Sequence, residues 1–475
     1  MRNILLTIGA MILLLIMVFL MNTNVTMSTS INKDVKSIKT TAGNSDWMIN
    51  KKEINCNHED KVFCSHLPLV IIETGGKTIK KEETIWSQVK VIDNKNGNNH
   101  INNKPDIKTS AAIKYRGNSS YLGFDKKQYH LEFYGDENRG KMKNISVMGM
   151  EKECDWILNG PFLDRTLIRN SLLYGISRKI MDWAPDTRYC EVFLDGKYQG
   201  VYIMMESIKV SKNRIKLRDF GLLSGETPYM LKRERVGTEI NALNSYGSYA
   251  GKTSNELSIN YPAPDRLLKT QKEWISNDIS KFEKALYSKT FDDKETGYSK
   301  YIDEDSFIDY YIINEFSMNK DAGFLSTYVY KDLSGKLKMA VWDFNNTFNN
   351  YQWTIDNPND FCVSKNNWYK RLFQDRRFTE KVIKRYNQLR KGVLSDEYLL
   401  KTIDDTVLYI GAAVDRNFHV WGYTFNEKLL LRDKSGVYRD PENYKEAVTM
   451  LKVEIAARGK FIDENIETLY QYAIN

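Results

Sequence analysis

The spacing of apolar residues predicts strands in the first half of the chain. Gln128–Tyr134 alternates apolar and polar residues, as a half-buried strand does. Arg188–Leu194 and Gln199–Glu206 flank an Asp-Gly pair at 195–196, which is a strong hairpin signal. Further apolar runs predict strands at Leu69–Glu73, Trp86–Ile92, Ala111–Arg116 and Tyr229–Lys232.

Helical spacing dominates from Lys269 onward. Trp274–Tyr287 and Asp305–Met318 are amphipathic segments. Later helices are predicted at Lys370–Leu389, Asp396–Arg416 and Tyr444–Asn475. One predicted hairpin, at 325–342, is embedded in this helical part. This order predicts an α+β fold with a β-rich lobe followed by a mainly helical lobe.

One earlier segment also has helical spacing. Asp164–Met181 places an apolar stripe on one face, and Asp164 suits the N-cap position. Arg165, Arg169 and Asn170 are expected on the solvated or salt-bridged face of this helix.

The first 24 residues have the clearest compositional signal. Ile4–Met21 is an almost unbroken apolar run preceded by Arg2, and no A-x-A-like cleavage site follows it. This pattern predicts an uncleaved transmembrane anchor with the rest of the chain outside the cytoplasm. Cleavage, which would give a secreted protein, is the alternative. The predicted organisation is an anchor at 1–24, a polar stalk at 25–65, a β-rich lobe at 66–235 and a mainly helical lobe at 236–475.

The overall composition is that of a globular protein, with 42% hydrophobic and 27% charged residues. The formal net charge is +8, but lysine and arginine are scattered without a long basic run. Nucleic acid is therefore not the expected partner, whereas an anionic lipid, cell-wall or phosphate surface is compatible with this charge.

The cysteines leave two arrangements open in an exported chain. Cys56 and Cys64 are close enough in sequence to close a small loop, and Cys154 with Cys190 is a candidate second bridge. The alternative is that Cys154, Cys190 and Cys362 are buried free thiols. A zinc site around Cys56 and Cys64 is disfavoured because a convincing fourth ligand is lacking.

The embedded hairpin supplies candidate chemistry. Its strands, Leu325–Lys331 and Lys336–Trp342, are joined by a spacer that ends in Gly335. Asp321 precedes the first strand and Asp343 follows the second, so pairing of the strands should bring the two acids together. Two carboxylates at one mouth suit a hard cation and a phosphate group. The alternative is that each aspartate caps a strand end in an ordinary turn.

A cationic turn supplies the second candidate site. Arg116 and Gly117 open this turn, and Lys127 follows it. Backbone N–H groups and an arginine fork can hold a phosphate there, while an ordinary hairpin with solvated lysines is the alternative. Glu206 closes a buried strand, where a carboxylate is costly unless paired, so we expect Lys127, Arg116 or a helix N-terminus opposite it. Exposure of Glu206 to solvent is the other interpretation.

Several short segments together resemble the spore coat protein H (CotH) kinase-like family, an atypical relative of protein kinases. The resemblance covers roughly Leu67 to Arg390, and the segments occur in the family's order. They are Tyr115-Arg116-Gly117-Asn118-Ser119, Lys126-Lys127, Asp155–Gly160, Arg169-Asn170, Glu191–Gly196, Gly200-Val201-Tyr202 with Glu206, Asn314-Glu315, Asn319-Lys320-Asp321 and Val341–Asn345. The resemblance implies a two-lobe, kinase-like fold, ATP with Mg²⁺ or Mn²⁺, and phosphorylation of Ser or Thr in surface or coat proteins.

The resemblance also implies roles for individual residues. Asp321 matches the catalytic-loop acid, which orients the acceptor hydroxyl or shares the metal, and Asp343 matches the metal-binding acid. Asn345 stands where many relatives have a second metal-binding aspartate, and its neutral amide predicts weaker metal binding. Ser326 stands where a kinase has its catalytic-loop asparagine. The usual glycine-rich loop and the His-Arg-Asp triplet are absent from the sequence.

The nucleotide phosphates are expected to contact Arg116 or Lys127, with Glu206 as the ionic partner of these cations. The departures from a protein kinase leave a second function open, a surface adhesin or scaffold that keeps the fold without catalysis. The scarcity of ATP outside cells favours that alternative. A metal-dependent hydrolase is a third interpretation of two close carboxylates, but it leaves the series of matching segments unexplained.

Overall fold

The structure is a computed structural model that describes residues 62–95, 97–135, 140–218, 226–237, 241–351, 359–430 and 439–474. The predicted anchor and most of the predicted stalk lie outside these residues. Among the described helices, none is long and apolar enough to cross a membrane.

The first part of the chain forms strands, as its alternating pattern predicts. They are β1 (Cys64–Ser65), β2 (Leu69–Glu73), β3 (Ile85–Ile92), β4 (Asn99–His100), β5 (Ile107–Arg116), β6 (Gln128–Tyr134), β7 (Asp155–Asn159), β8 (Thr187–Leu194) and β9 (Lys197–Glu206). Seven of them close into a barrel in the order β2-β3-β5-β6-β7-β9-β8. The contact that closes it is the parallel pairing of β2 with β8, whereas the other neighbours are antiparallel.

Side-chain alternation explains why these strands form a barrel. Tyr129, Leu131 and Phe133 of β6 point inward and are at most 3% exposed. They join a core that includes Trp156 and Met204 from neighbouring strands. Because successive side chains of a strand point to opposite faces, the polar residues between them lie on the outer surface.

A second sheet contains the predicted hairpin. Its strands are β10 (Tyr229–Glu234), β11 (Ala242–Leu243), β12 (Glu256–Tyr261), β13 (Thr327–Lys331) and β14 (Lys338–Ala340), in the order β11-β12-β10-β13-β14. β13 and β14 pair with Tyr328 opposite Ala340, so the hairpin forms as predicted. β10 pairs with β13. The last strand of the predicted β-rich lobe therefore lies in the same sheet as the hairpin, and the lobe boundary at 235/236 stays a prediction.

Helices pack around both sheets, and a mixed α+β architecture is confirmed. They are α1 (Ser119–Gly123), α2 (Arg169–Ile180), α3 (Tyr246–Tyr249), α4 (Lys269–Leu286), α5 (Glu304–Phe316), α6 (Asn367–Leu372), α7 (Arg376–Arg390), α8 (Asp396–Ile410), α9 (Ala413–Trp421) and α10 (Tyr444–Asn465). The large hydrophobic core joins α2, α4, α5 and the later helices to the five-stranded sheet and to the outer face of β7, β8 and β9 of the barrel.

Two long predicted helices are each divided in the structure. The predicted helix at 370–389 covers the end of α6 and nearly all of α7. The two are separate helices because Asp375 accepts a hydrogen bond from the Arg377 N–H and caps the start of α7. The segment 396–416 is interrupted at Gly411, whose φ of +50° ends α8. The sequence predicted one continuous helix in each case because apolar residues keep their helical spacing on both sides of the interruption.

The start of α2 differs from its prediction. The helix begins at Arg169, and Asp164 lies ahead of it rather than at the N-cap. The Asp164 carboxylate still accepts a hydrogen bond from the Arg169 N–H at 2.9 Å. It also forms an ion pair with the Arg169 guanidinium at 2.6 Å. Asp164 therefore orders the turn that leads into the helix.

The structure decides between the two cysteine arrangements that the sequence left open. Cys64 is disulfide-bonded, and its predicted partner Cys56 lies outside the described residues. Cys154, Cys190 and Cys362 form no disulfide bond, so the candidate Cys154–Cys190 bridge is wrong and the alternative of three unbridged thiols is confirmed. Cys190 lies on β8 and Cys154 directly precedes β7, and β9 separates these two strands in the barrel. Cys362 is half-buried rather than buried.

Candidate functional site

A cavity of about 610 Å³ is lined by residues from both sheets. This volume is within the range of small-molecule sites. The ends of β5, β6 and β7 contribute Arg116, Gln128 and Asn159, and α2 contributes Asn170 and Tyr174. The second sheet and its flanking loops contribute Lys232, Glu234, Arg235, Asp321, Ser326, Tyr328, Trp342, Asp343 and Asn345.

The hairpin places Asp321 and Asp343 on this one cavity, as the sequence predicts. Burial raises the pKa of Asp321 to about 6, with a further contribution from the charge of Asp343. The two carboxylates are therefore close enough to interact electrostatically, and such a pair favours the binding of a cation.

The backbone around Asp343 is held by several hydrogen bonds. Asp343 has a φ of +58°, a left-handed conformation, and its N–H donates to the Tyr174 hydroxyl at 3.0 Å. The Asn319 side chain donates to the Asp343 carbonyl at 3.4 Å. The next residue, Phe344, is fully buried, and its N–H donates to Asn170 Oδ1 at 3.0 Å. These contacts hold the backbone from which the Asp343 carboxylate projects.

Asn345 contacts Asp343 directly. Its Nδ2 donates to Asp343 Oδ1 at 2.6 Å, and its Oδ1 accepts from Asn170 Nδ2 at 2.7 Å. Asn170 Nδ2 also donates to Asn159 Oδ1 at 3.2 Å. Asn170 is only 4% exposed, so leaving its own amide without a hydrogen-bond partner would be costly.

The same series of bonds continues to Arg116. Asn159 Nδ2 donates to Gln128 Oε1 at 3.0 Å, and Arg116 Nη1 donates to the same oxygen at 3.0 Å. The Arg116 guanidinium also lies 5.4 Å from the centre of the Trp342 ring. Four side chains thus connect Arg116 to Asp343, and they are called the amide chain: Gln128, Asn159, Asn170 and Asn345.

The turn after β5 requires glycine at position 117. Gly117 has a φ of +89°, and a Cβ added there would lie 2.0 Å from Ser120 Oγ. Both residues line the cavity next to Arg116. The backbone of this turn can therefore approach a ligand closely, which is the usual function of glycine at such positions.

The sequence model of the CotH kinase protein family matches residues 113–462, which is more than half of the chain. The chain belongs to the CotH kinase protein family. The resemblance inferred from short segments is thereby confirmed. Inner spore coat protein H of Bacillus subtilis (strain 168) is 30% identical over 96 residues. That alignment spans 20% of this chain and 23% of the length of the relative.

This CotH family member does not place Lys127 among the residues that line the cavity. Lys127 Nζ donates to the Tyr121 carbonyl at 2.7 Å. Its neighbour Lys126 is 1% exposed and donates to the Val201 carbonyl at 2.7 Å and to Asn417 Oδ1 at 2.8 Å. Burial holds the pKa of Lys126 well below its usual range. Lys126 therefore joins the barrel to α9, and the nucleotide-binding role of Lys127 stays a prediction.

Glu206 is paired, as expected for a buried carboxylate, but its partner is not the predicted one. It is 2% exposed and forms an ion pair with Arg214 at 2.8 Å. It also accepts a hydrogen bond from the Asp186 N–H at 3.1 Å. Pairing with Lys127 or Arg116 is therefore wrong, because the chain after β9 returns Arg214 to the end of that strand. Glu206 does not line the cavity, and its assignment to nucleotide binding stays a prediction.

Sequence reasoning missed several residues of the CotH cavity. Asn170 was expected on a solvated or salt-bridged helix face, but α2 is buried on all sides over most of its length. The signal that the sequence offered for Asn170 was its place beside Arg169 in one of the short segments that match the family. Lys81, Lys232 and Arg235 also line the cavity and add positive charge. Lys232 and Arg235 belong to the charged run 232–235 at the end of β10, and the sequence alone assigns no function to this run.

A separate group of metal-ligating side chain types lies on the outer face of the barrel. His130, Glu132 and Asp155 lie within ligand reach of one another. His130 Nε2 lies within hydrogen-bond distance of Asp155 at 2.7 Å, and the Lys209 ammonium lies 3.8 Å from Asp155. Asp155 therefore has protein partners, so the group is explained without an ion.

Proposed function

We propose that this CotH family member is an atypical protein kinase that transfers the terminal phosphate of ATP to a Ser or Thr hydroxyl of a surface or coat protein. The observation that supports this most directly is the placement of Asp321 and Asp343 on one cavity of about 610 Å³. Membership of a kinase family favours the same function. The name of the curated relative, a spore coat protein, favours a coat protein as the acceptor.

The side chains present suit a nucleotide with a divalent cation. Asp321 and Asp343 offer carboxylate oxygens, which Mg²⁺ and Mn²⁺ prefer. Mg²⁺ or Mn²⁺, when bound, would neutralise phosphate charge during transfer. Basic side chains on the cavity match the charge of a triphosphate: Lys81, Arg116, Lys232 and Arg235.

Asp321 is the acceptor-side acid in this proposal. It takes the proton of the Ser or Thr hydroxyl as that oxygen forms its bond to the terminal phosphorus. The bond between that phosphorus and the oxygen of the leaving ADP breaks in the same step. A pKa of about 6 keeps Asp321 mostly ionised near neutral pH and still able to accept a proton.

Arg116 is the phosphate-side cation. Its guanidinium is oriented by Gln128 and by the Trp342 ring while it lines the cavity. A fixed guanidinium can donate two parallel hydrogen bonds to phosphate oxygens. The step requires neither Lys127 nor Glu206, since both lie outside the cavity lining.

Transfer is tested by incubating the purified protein with labelled ATP, Mg²⁺ or Mn²⁺ and candidate coat proteins. Asp321→Asn should slow labelling about 10²–10⁴-fold while largely sparing ATP binding. Asp343→Asn should remove both binding and labelling, because it removes the principal metal carboxylate. Asp332→Asn is the matched control, since Asp332 lies at the far end of the same hairpin and pairs with Arg218 at 2.9 Å. Absence of both labelling and ATP binding in the wild type would reject the proposal.

A surface adhesin or scaffold is the second candidate function, and the site composition favours it in one respect. Ser326 lines the cavity where a protein kinase would supply an asparagine, and Asn345 is already hydrogen-bonded to Asp343. A scaffold of this kind would bind a cell-surface ligand tightly without Mg²⁺-dependent ATP binding. Calorimetric titration with ATP and Mg²⁺ separates the two functions.

We also propose that the apolar segment at 4–21 anchors the protein with its folded part on the extracytoplasmic side. Protease added to intact cells should then release the folded part and leave a small membrane-bound stub. A mature protein in the medium that begins near residue 25 would contradict the anchor and indicate secretion.

A further inference from the structure

We infer that Asn170 orients the amide of Asn345 so that it donates a hydrogen bond to Asp343 instead of presenting an oxygen ligand to the metal. This inference rests on the proposed metal site at Asp343 and alters the role expected of Asn345. It makes Asn170 a positioning residue for the metal-binding acid.

The Phe344 N–H determines the orientation of the Asn170 amide. A backbone N–H can only donate, so the Asn170 atom that lies 3.0 Å from the Phe344 nitrogen must be the oxygen Oδ1. The amide nitrogen of Asn170 must therefore face the other way. It lies 2.7 Å from Asn345 and 3.2 Å from Asn159. The usual ambiguity between amide oxygen and nitrogen is thereby removed for this residue.

Asn170 in turn determines the orientation of the Asn345 amide. Because Asn170 presents its nitrogen, the facing atom of Asn345 must be the oxygen that accepts this bond. The nitrogen of Asn345 then faces Asp343, where it donates to Oδ1 at 2.6 Å. Divalent cations such as Mg²⁺ bind carbonyl and carboxylate oxygens, and an amide N–H group is not a ligand for them. Asn345 therefore occupies one oxygen of Asp343 and leaves the other for a cation.

The opposite end of the amide chain enforces the same polarity. An arginine can only donate, so the Gln128 atom that faces Arg116 is an oxygen, and Asn159 presents its nitrogen to that oxygen. Reversing Asn345 alone would set two amide nitrogens against each other at Asn170 and two oxygens against each other at Asp343. The chain is thus fixed at both ends by obligatory donors, Arg116 and the Phe344 N–H.

A double-mutant cycle on Mn²⁺ affinity tests this assignment, measured by calorimetry on the full chain. Asn170→Asp keeps an acceptor for the Phe344 N–H but removes the donor to Asn345, so the Asn345 amide is expected to turn and offer its oxygen beside Asp343. Mn²⁺ binding should then tighten on the order of tenfold through an added oxygen ligand. The added charge alone also favours Mn²⁺, and the same substitution in an Asn345→Ala background measures that contribution.

The cycle supports the inference if Asn170→Asp tightens Mn²⁺ binding substantially more with Asn345 present than in the Asn345→Ala background. Equal changes in the two backgrounds would overturn it, because they would show that charge alone acts. Asp343→Asn separates this result from a failure of the proposed function: unchanged Mn²⁺ affinity in that variant would place the metal elsewhere and reject both.

A second measurement applies to the wild-type chain if Asn170→Asp does not fold. With ¹⁵N-labelled asparagine, the side-chain amide signal of Asn345 is assigned by its loss in Asn345→Ala. One amide hydrogen should exchange slowly with solvent, with or without Mg²⁺, because it is bonded to Asp343. Rapid exchange of both hydrogens, or loss of protection when Mg²⁺ is added, would overturn the inference.

Discussion

Gly117→Ala should disturb both the turn after β5 and nucleotide binding. An alanine at φ +89° has left-handed strain of about 1–2 kcal/mol. Its Cβ would also lie 2.0 Å from Ser120 Oγ, so the hydroxyl or the turn must move by more than 1 Å. Displacing that hydroxyl adds about 0.5–1.5 kcal/mol through an off-rotamer side chain. The expected destabilisation is therefore about 2–3 kcal/mol.

Two controls divide this cost into its parts. Gly149→Ala has the same left-handed strain, with φ +77°, but a Cβ there meets nothing within 4 Å, and Gly149 does not line the cavity. It should lose about 1–2 kcal/mol and leave ATP affinity unchanged. Adding Ser120→Ala to Gly117→Ala should recover the steric part of the loss and leave the φ part.

Urea denaturation measures the stabilities, and calorimetric titration with ATP and Mg²⁺ measures binding. Gly117→Ala should weaken ATP binding, because the turn that positions Arg116 is displaced by about 1 Å, a shift of the size that reduces enzyme rates about 10²-fold. The reasoning is refuted if Gly117→Ala and Gly149→Ala are equally destabilised while Ser120→Ala restores nothing. Unchanged ATP affinity in Gly117→Ala would remove this turn from the binding site.

The other predictions concern the acids, a buried ion pair and a thiol. In chelator-treated protein the Asp321 carboxyl should titrate near pH 6, and Asp343→Asn should lower this pKa because a neighbouring negative charge is lost. NMR of the Asp321 carboxyl carbon measures the pKa in the wild type and in the variant. An unchanged pKa in Asp343→Asn would contradict the proximity of the two acids. Arg458→Met should lower the free energy of unfolding by about 3–5 kcal/mol, since it leaves buried Glu315 without the cation 2.6 Å away. Urea denaturation measures this loss, and a midpoint equal to that of the wild type would contradict the prediction. Cys190 should resist alkylation in the folded protein, because it is buried, and should react in urea without a reductant, because its thiol is not in a disulfide bond. Mass spectrometry measures the alkylation, and a Cys190 that stays unmodified in urea until reductant is added would reveal a disulfide bond.

The strands and the hairpin could be predicted because their signals are local. Alternation in Gln128–Tyr134 is a property of seven consecutive residues and needs no knowledge of neighbours. The placement of Asp321 beside Asp343 follows from one hairpin. The partner of Glu206 could not be predicted in the same way, because Arg214 reaches it only through the path of the chain after β9.

The sequence also could not predict which individual polar residues are buried. The residues Lys126 and Lys127 are adjacent and identical in type, yet only Lys126 is buried, and the difference depends on contact with Asn417. Asn170 lies on a helix that is buried on nearly every side, so an amphipathic pattern could not indicate its direction. Its amide bonds to Asn159 of β7 and to the segment that follows β14, and only the tertiary structure brings these two segments to α2.

The packing of α9 against the barrel has a consequence for synthesis of the chain on the ribosome. The Val201 N–H donates to Asn417 Oδ1 at 3.0 Å, and the two residues are 216 positions apart. At about 5–20 residues per second, roughly 10–40 s pass between the emergence of the two partners. Throughout that interval the Val201 N–H on β9 and the Lys126 ammonium both lack Asn417, although Lys126 keeps the Val201 carbonyl as an acceptor within the barrel. Premature termination before Ala413 would therefore release a barrel that never acquires its covering helix.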